Sequence, residues 1–276
     1  MLLKDKKALI TGGGRGISKV IASFYLREGA NIVIASRSEE ELKNTSDEFN
    51  KTYPGKISYF LVDVSNPTEV KKMIAHAVSS LGAIDILVNG AGIYGPIGPS
   101  HEVDLDHWKK TYEINVFGTF YSFHEVVPQM IKQGHGKIIN FSGGGDGPLP
   151  RFSAYSSSKA AIVRLTETLA EEIKSYGIEV NCIAPGPVNT HFLDEALAAG
   201  IEKLGSEKYQ SLLKQKEDGG VPPEKAADLC VFLASEKSNG LSGRFLSAVW
   251  DNYWDWDEEK IKEIMSGPAF TYRRVK

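Results

Sequence analysis

Short runs of Ile, Val and Leu alternate along the chain with longer amphipathic segments, and this alternation limits the possible folds more than any other feature. The apolar runs predict strands at 7–11, 31–35, 57–62, 85–89, 137–142, 178–183 and 243–249. Helical patterns lie near 16–28, 39–51, 67–81, 104–132, 153–175 and 223–235. Because the apolar runs lack alternating polar residues, they favour a parallel sheet buried on both faces. We predict an α/β fold: a doubly wound parallel sheet of about seven strands with helices on both faces.

The size and composition of the chain fit one large α/β domain. It has 276 residues, of which 42% are hydrophobic, enough for a continuous core. Neither a repeat nor a low-complexity linker interrupts the alternation. We therefore predict a single domain over residues 1–249, with an insertion at about 186–222, followed by an aromatic and charged extension at 250–276.

Charge and hydropathy argue against nucleic-acid and membrane partners. The formal net charge is −3, which implies no global attraction to nucleic acid or to a membrane surface. The sequence contains no apolar run of about 18 residues. Residues 1–7 lack the long apolar region of a signal peptide. We expect a cytoplasmic protein.

The cysteines and histidines indicate ordinary core thiols and no metal site. Cys182 and Cys230 lie in apolar segments, where reduced thiols are expected, and a disulfide between them is the alternative. The six histidines show no metal-ligand spacing with a cysteine or with one another. We expect no bound metal.

Three polar residues indicate acid–base chemistry at an alcohol or carbonyl oxygen. Lys159 follows Tyr155 by one helical turn, so both side chains project from one helix face. The ammonium should lower the pKa of the tyrosine from its ordinary value of about 10. Ser142, at the end of an apolar strand, can hold the reacting oxygen by a hydrogen bond. The same spacing recurs at Tyr272 and Lys276, but that copy lies in a basic tail without a serine at the same offset.

A glycine-rich turn after the first strand predicts a nucleotide site. Residues 12–18 read GGGRGIS and precede a helix. The glycines allow a pyrophosphate to approach closely, and the helix N-terminus offers free N–H groups. Residues 90–95 also fit G-x-G-x-x-G, but prolines follow them instead of a helix start. We interpret this second segment as a loop beside the nucleotide.

In their order along the chain, these motifs resemble those of the short-chain dehydrogenase/reductase family over about residues 5–249. The matches are Thr11, Gly12, Gly16 and Ile17 in its T-G-x-x-x-G-x-G turn, Asp63 and Val64 at the adenine, Asn89, Ala91 and Gly92 in its N-N-A-G loop, Asn115 in a helix, the set Ser142, Tyr155 and Lys159, and Pro185, Gly186 and Thr190 at the nicotinamide. Two positions depart from the family, since Ser18 replaces the last glycine of the turn and Gly90 replaces the second asparagine. The resemblance implies a Rossmann-type fold.

The resemblance also implies reversible hydride transfer between a nicotinamide cofactor and a small carbonyl or secondary-alcohol substrate. Tyr155 would act as acid and base, Ser142 would bind the substrate oxygen, and Lys159 would bind the nicotinamide ribose. Asn115 would help to hold a relay water. We expect cofactor contacts from Gly12, Gly14, Arg15, Gly16, Ile17, Ser36, Arg37, Asp63, Val64, Asn89, Ala91, Gly92, Tyr155, Lys159, Pro185, Gly186, Val188 and Thr190.

The end of the second strand favours NADP(H) over NAD(H). Counting twenty residues from Gly16 reaches Ser36 and then Arg37, so the acidic residue that binds the ribose 2′-hydroxyl in NAD sites is missing there. The guanidinium groups of Arg37 and Arg15 suit a 2′-phosphate. The alternative is that both arginines are solvated, in which case NAD(H) would serve as the cofactor.

The substrate side is less constrained by the sequence. Residues 143–147 are small and could leave room for a bulky substrate, and Phe152 with residues 191–193 is expected to line the pocket. The insertion at 186–222 has the character of a lid. We expect residues 250–276 to pack on a neighbouring subunit or over the substrate mouth, or alternatively to dock on their own subunit. Acyl thioesters, steroids, sugars and polyols all stay open as substrates.

Three rival functions remain at this point. The first is NAD-dependent alcohol oxidation by the same residues. The second is a nucleotide-sensing binding protein that keeps the fold without turnover, although such relatives usually lose the tyrosine or lysine. The third is a sugar epimerase, whose turn would read T-G-x-x-G-x-x-G. The family resemblance further implies a homo-oligomer, a tetramer or dimer, built on the helices at 104–132 and 153–175.

Overall fold

A parallel sheet forms the centre of the molecule and confirms the predicted single-domain α/β architecture. The computed structural model describes residues 1–143 and 147–272. Within them, seven strands pair in the order β3-β2-β1-β4-β5-β6-β7, all in parallel. The strands are β1 (Lys7–Thr11), β2 (Asn31–Ser36), β3 (Ile57–Leu61), β4 (Ile86–Asn89), β5 (Gly136–Phe141), β6 (Ile178–Ala184) and β7 (Phe245–Ser247). Part of the glycine-rich segment expected to leave room for substrate, 144–146, and the basic residues 273–276 lie outside the described residues.

Helices cover both faces of the sheet, as predicted. They are α1 (Gly16–Arg27), α2 (Glu39–Thr52), α3 (Pro67–Leu81), α4 (Leu105–Tyr112), α5 (Gly118–Gln133), α6 (Ser153–Ile173), α7 (His191–Ala198), α8 (Gly200–Leu204), α9 (Ser206–Glu217), α10 (Pro223–Ala234) and α11 (Glu258–Ser266). Apolar residues of α1, α2 and α10 pack on one face, and those of α3, α5 and α6 pack on the other. Because successive strand residues point to opposite faces, Ile10 belongs to the first core and Leu9 to the second.

The segment predicted as one helix at 104–132 is interrupted. Helix α4 ends at Tyr112, a π turn covers Glu113–Phe117, and α5 begins at Gly118. The side chain of Asn115, within this turn, accepts a hydrogen bond from Ile93 N at 2.9 Å and donates to Ile93 O at 3.0 Å. A wider turn at this point therefore coincides with a tertiary contact that helical periodicity does not reveal.

The last strand is shorter than the predicted 243–249. It covers Phe245–Ser247, and the carboxylate of Asp251 accepts a hydrogen bond from Ser247 N at 2.7 Å. This side-chain contact closes a turn directly after the strand. The apolar residues Ala248 and Val249, which suggested a longer strand, lie in that turn instead.

The C-terminal extension docks on its own subunit between Tyr253 and Phe270. The Tyr253 side chain is 1% exposed, its ring lies 5.3 Å from that of Phe232, and its hydroxyl donates to Lys225 O. Phe270 O accepts a hydrogen bond from Phe245 N at 2.8 Å, so the returning chain pairs with the edge strand β7. This packing corresponds to docking on the same subunit. Trp250, Asp251 and Phe270 of the extension also line a large cavity at the carboxyl ends of the strands, and Trp250 is 81% exposed there.

None of the helices within residues 1–143 and 147–272 is both long and apolar enough to cross a membrane. The same residues contain no group of three or more His, Cys, Asp or Glu side chains that could hold a metal ion.

Removal of the Tyr253 ring should destabilise the protein far more than removal of its neighbour Trp254. Tyr253→Ala should lower the free energy of unfolding by about 3 kcal/mol, because it opens a cavity against Phe232. Trp254→Ala should cost less than about 1 kcal/mol, because that ring is 53% exposed. Urea denaturation measures both values. Equal losses in the two variants would contradict the docking described here.

Candidate active site

A cavity of about 1020 Å³ opens at the carboxyl ends of the central strands. The strand order reverses direction between β1 and β4, so the loops after these two strands diverge to opposite sides of the sheet. Ligands of open α/β sheets bind at such a switch point. The volume lies at the upper end of the usual range for ligand pockets, roughly 300–1,000 Å³, and leaves room for more than a small metabolite.

The loop after β1 forms a backbone cradle at one end of the cavity. Gly12 has φ +71° and Gly16 has φ +57°, conformations that side-chain-bearing residues rarely adopt. A Cβ at Gly12 would lie 3.0 Å from Ala91 N, so the two loops touch directly. No side chain within the described residues caps the first turn of α1. Close backbone approach and free N–H groups at a helix start both fit a pyrophosphate.

The two departures from the family motifs lie against each other. A Cβ built on Gly90 would approach Ser18 Oγ to 2.2 Å and Ser18 Cβ to 3.3 Å. Ser18 is 4% exposed, so its hydroxyl has little space to move away. The serine in the turn therefore favours a glycine in the loop after β4, and the backbone oxygen of Thr11, 2.9 Å from the same Cβ position, adds a second constraint. Because residues 18 and 90 are far apart in the chain, their spacing in the sequence gives no sign of this contact.

Charged residues surround the cavity at the end of β2. Ser36, Arg37 and Glu41 line it there, as does Arg15 from the glycine-rich turn. The Arg15 guanidinium is paired with Glu41 at 2.9 Å. Arg37 makes no ion pair or side-chain hydrogen bond with any other described residue, so its charge is available to a ligand. Glu41 was not predicted, because it belongs to the first turn of α2 and reads as an ordinary acidic helix start.

Four predicted cofactor or catalytic residues lie behind the cavity wall. Gly14 packs against α2, where a Cβ would meet Glu41 Cβ at 3.1 Å. Asn89 is buried and donates to Asn140 Oδ1 at 2.9 Å, and its own Oδ1 has no partner in the described part of the chain. The other two, Asp63 and Asn115, are held by hydrogen bonds to Ser65 and to Ile93.

Asp63 is held by its own turn. Its carboxylate accepts hydrogen bonds from Ser65 N at 2.9 Å and Ser65 Oγ at 2.7 Å. Partial burial alone would raise the pKa of Asp63, but these hydrogen bonds and the charges of Lys110 and Arg37 lower it below its ordinary value. The neighbouring Val64 lines the cavity in its place.

Asn115 links the loop after β4 to helix α6. Besides its two bonds to Ile93, its amide donates to Ser158 Oγ at 3.0 Å. A Cβ on Gly92 would lie 3.2 Å from Asn115 Oδ1 and 3.6 Å from Lys159 Nζ. The glycine therefore lets this loop pass close to the lysine, and Asn115 fixes the loop there.

Ser142, Tyr155 and Lys159 meet on the opposite wall of the cavity. Ser142 directly follows β5, Tyr155 lies in the first turn of α6, and Lys159 follows one turn later. Lys159 Nζ donates to Phe141 O at 2.9 Å, and Ser142 Oγ donates to Lys159 O at 3.3 Å. All three residues line the cavity although each is at most 9% exposed. The arrangement offers a hydroxyl, a phenol and an ammonium to one bound molecule.

Burial controls the protonation of this group. It raises the pKa of Tyr155 well above its ordinary value, and the nearby Tyr94 raises it further. It lowers the pKa of Lys159 to about 8. The prediction that Lys159 lowers the tyrosine pKa is therefore wrong for this state, because desolvation of the phenolate outweighs attraction to an ammonium 5.6 Å from the ring centroid.

An aromatic cluster covers Tyr155. The ring of Tyr94 stands edge-on to Tyr155 at 4.7 Å and lies 5.1 Å from Phe152. Phe192, from the insertion, lies 4.7 Å from Tyr94 and 6.3 Å from Tyr155. Phe152 and residues 191–193 thus line the cavity where the sequence suggested, whereas Tyr94 was missed. Its only signal was an aromatic residue within the glycine-rich loop after β4.

The segment after β6 forms the wall between the two ends of the cavity. Pro185, Gly186, Val188 and Thr190 all line it. Gly186 has φ +85°, and a Cβ there would strike Val249 Cγ2 at 2.7 Å. Thr190 caps α7 by accepting a hydrogen bond from Phe192 N. Thr190 therefore both caps helix α7 and lines the cavity.

Comparison with known proteins gives the family. The model of the short chain dehydrogenase family matches residues 6–199. The chain is 32% identical over 248 residues to 3-oxoacyl-acyl-carrier-protein reductase FabG from Thermotoga maritima, covering 89% of this chain and 97% of the relative. The chain belongs to the short-chain dehydrogenase/reductase family.

Solved structures agree with this assignment. A gluconate 5-dehydrogenase from Burkholderia cenocepacia, in complex with NADP and tartrate, superposes with a TM-score of 0.78 at 30% identity over 94% of this chain and 96% of its own. An NAD⁺-bound xylitol dehydrogenase superposes with a TM-score of 0.82 at 27% identity over 90% of this chain and 98% of its own. Neighbours of this fold thus bind either nicotinamide dinucleotide.

The contact between Ser18 and Gly90 should appear as a strong coupling in a double-mutant cycle. Gly90→Ala alone should cost about 1–3 kcal/mol of unfolding free energy, because the new methyl group overlaps Ser18 Oγ. Gly90→Ala combined with Ser18→Ala should recover at least about 1 kcal/mol of that cost. Urea denaturation of the four proteins measures the coupling. Additive effects would show that the two residues do not constrain each other.

Proposed function

We propose that this protein is an oxidoreductase that transfers hydride reversibly between NADP(H) and a carbonyl or secondary-alcohol substrate. One observation carries the proposal: Ser142, Tyr155 and Lys159 line the same cavity as an uncapped helix start and the free Arg37. Such a cavity can hold a dinucleotide with its reactive end beside a proton donor. The reaction class agrees with the family, and NADP(H) preference is our own inference.

The nicotinamide cofactor, when bound, would supply or remove the hydride. The residues that fit it are the backbone at Gly12, Gly16 and Ile17 for the pyrophosphate, and Pro185, Gly186, Val188 and Thr190 for the wall beside the nicotinamide. Ile17 and Ala91 would contribute apolar contact. The geometry fits this role because a Cβ at Gly16, which lines the cavity, would meet no atom closer than Thr190 Cγ2 at 3.8 Å, so the glycine leaves the start of α1 open to a ligand.

Tyr155 would hand its proton to the substrate oxygen during reduction. Its raised pKa keeps the phenol protonated across the neutral range, so the proton is present when reduction begins. Because a general acid transfers its proton best when its pKa lies near the working pH, positive charge beside the phenol would favour the transfer. Ser142 would turn its one hydroxyl proton from Lys159 O to the same substrate oxygen and so orient the carbonyl. In the oxidation direction the tyrosine must lose its proton first, and this buried environment opposes that loss unless a positive charge is bound nearby.

Lys159 would hold the nicotinamide ribose and keep positive charge beside Tyr155. The pKa of about 8 leaves the lysine ammonium mostly charged at neutral pH and neutral in more alkaline solution. Its present acceptor, Phe141 O, uses one of its three N–H groups. The remaining donors are available to ligand hydroxyls, and Asn115 holds the adjoining loop so that this geometry is kept.

Arg37 carries the preference for NADP(H). Within the described residues its guanidinium makes no ion pair or hydrogen bond, although its charge acts on Asp63, and it lines the end of the cavity where an adenosine ribose would lie. A 2′-phosphate suits it, since guanidinium and phosphate form charge-assisted paired hydrogen bonds. Arg15 could join the contact only by leaving Glu41, whose own charge would repel the phosphate.

The competing candidate is NAD-dependent alcohol oxidation. Glu41 favours it, because an acidic side chain at this end of the cavity could accept a hydrogen bond from a ribose 2′-hydroxyl. The NAD⁺-bound xylitol dehydrogenase shows that a close structural neighbour uses this cofactor. The choice between the cofactors therefore depends on whether Arg37 or Glu41 dominates the local potential.

We further propose a cytoplasmic homo-oligomer, a dimer or tetramer. Cys182 and Cys230 are buried free thiols, which a reducing compartment preserves. Leu105, Phe117 and Phe120 are between 40% and 69% exposed along α4, the π turn and α5. Apolar side chains of this size on one helical stretch support a contact with a second copy of the chain.

Loss of the Tyr155 hydroxyl should abolish hydride transfer without loss of cofactor binding. Ketones with NADPH and secondary alcohols with NADP⁺ should show turnover with the wild type, followed by nicotinamide absorbance. Tyr155→Phe should slow it by roughly 10²–10⁴-fold, the usual contribution of a general acid. Tyr272→Phe, which alters the other Tyr-x-x-x-Lys copy, should leave it unchanged. Full activity of Tyr155→Phe would refute the assigned chemistry, and absence of turnover with every substrate would favour a nucleotide sensor.

The cofactor assignment can be decided by titrating NADPH and NADH. The wild type should bind NADPH at least about tenfold more tightly, equivalent to about 1.4 kcal/mol. Arg37→Ala should remove most of this difference, and Glu41→Gln should enlarge it by freeing Arg15. Lys43→Ala, which removes an exposed cation from α2, is the matched control and should change nothing. Equal or tighter binding of NADH by the wild type would make NAD-dependent oxidation the leading function.

A further inference from the structure

Lys208 is a positively charged residue near the proposed substrate end of the cavity, and it has no role in the proposed chemistry. It lies on α9, within the insertion, and lines the same cavity as Tyr155. Its side chain is partly buried, and burial lowers the pKa of Lys208 below its ordinary value. Within residues 1–143 and 147–272 its ammonium has neither an ion pair nor a hydrogen bond. A partly buried ammonium without a partner is costly in a protein.

The helix directs Lys208 toward the site. Leu212 and Gln215 follow it by four and seven residues, so the three side chains share one face of α9, and all three line the cavity. Leu212 is buried in one cluster with Phe152 and Tyr155. Because an α-helix rises 1.5 Å per residue, the Lys208 backbone lies only about 6 Å along the axis from Leu212. Lys208 therefore shares a helix face with Leu212, which packs in the cluster that contains Tyr155, and both Lys208 and Tyr155 line the cavity.

The surroundings indicate which ligand would suit this lysine. The cavity that Lys208 shares with Tyr155 is also lined by aromatic and aliphatic groups, among them Tyr94, Phe152 and Phe192. Gln215 is already engaged with Asn189, to which its amide donates at 3.1 Å. The nearby acid Asp194 is paired with Lys216 at 2.7 Å. One unneutralised ammonium at the end of an apolar space matches one negative charge at the end of an apolar molecule.

We propose that the substrate is a carbonyl compound, or the corresponding alcohol, with an apolar body and a carboxylate that pairs with Lys208. This inference rests on the proposed function, since it assumes that the reacting oxygen lies at Tyr155. A carboxylate suits the site better than a phosphate, because a single lysine supplies one charge, whereas phosphate sites usually combine several donors. Neutral polyols and steroids lack the group that Lys208 would bind.

A matched pair of probes tests this charge contact. Benzoylpropionate has a ketone, an aromatic ring and a carboxylate two methylene groups away, and its methyl ester lacks only the charge. Calorimetric titration into the wild-type protein saturated with NADP⁺ should show the acid binding at least about tenfold more tightly than the ester, the effect of one charged hydrogen bond. Lys208→Met should bring the two affinities within about twofold, and Lys208→Glu should favour the ester.

Lys214→Met is the matched control, because Lys214 is exposed on the same helix outside the cavity. This variant should keep the wild-type ratio. Cofactor affinity, measured in the same samples, reports whether each variant is folded. Equal affinities of acid and ester in the wild type, an unchanged ratio in Lys208→Met, or binding of neither probe would overturn the proposal. These outcomes differ from failure of the proposed function, which would appear as absent cofactor binding or absent Tyr155-dependent hydride transfer.

Discussion

The hydroxyl of Thr11 joins the two loops between which the cavity opens. It accepts hydrogen bonds from Gly90 N at 3.1 Å and Ala91 N at 3.2 Å, and it is 2% exposed. Parallel pairing of β1 with β4 brings these groups together, since Thr11 lies opposite Asn89 in the register. With the loops fixed in this way, the glycine cradle and the loop that passes Lys159 share one edge of the sheet. Where the same two loops meet, Ser18 leaves no space for a side chain at Gly90.

The fold could be predicted from the sequence wherever burial alone decides the structure. The inner strands β1, β2, β4, β5 and β6 are buried on both faces, so apolar runs such as Ile32–Ala35 identified them within one or two residues. The π turn at Glu113–Phe117 could not be found in this way, because the partner of Asn115 is Ile93, 22 residues earlier in the chain. Side-chain periodicity reports local helix formation, and it contains no information about a contact between distant segments.

In the candidate site, too, features set by local spacing could be predicted, whereas those set by contacts between distant segments could not. Motif spacing brought Ser142, Tyr155 and Lys159 to attention, because a helix turn and a strand end fix their relative positions. The roles of Glu41, Tyr94 and Lys208 depend on how α2, the loop after β4 and α9 pack around the cavity, and so no spacing indicated them. The protonation of Tyr155 was also misjudged, since a sequence shows a neighbouring charge but not the depth at which a phenol is buried.

The insertion couples the two halves of the cavity through a single helix start. Thr190 faces the glycine-rich turn, where its Cγ2 would lie 3.8 Å from a Cβ at Gly16. Two residues later, Phe192 packs against Tyr94 over Tyr155. Because the Thr190 side chain accepts the hydrogen bond of Phe192 N, the walls that we propose for the cofactor and for the substrate belong to one capped helix. A displacement of α7 would therefore change both walls together, and ordering of the Thr190 segment by a bound dinucleotide would also fix the aromatic cover of Tyr155.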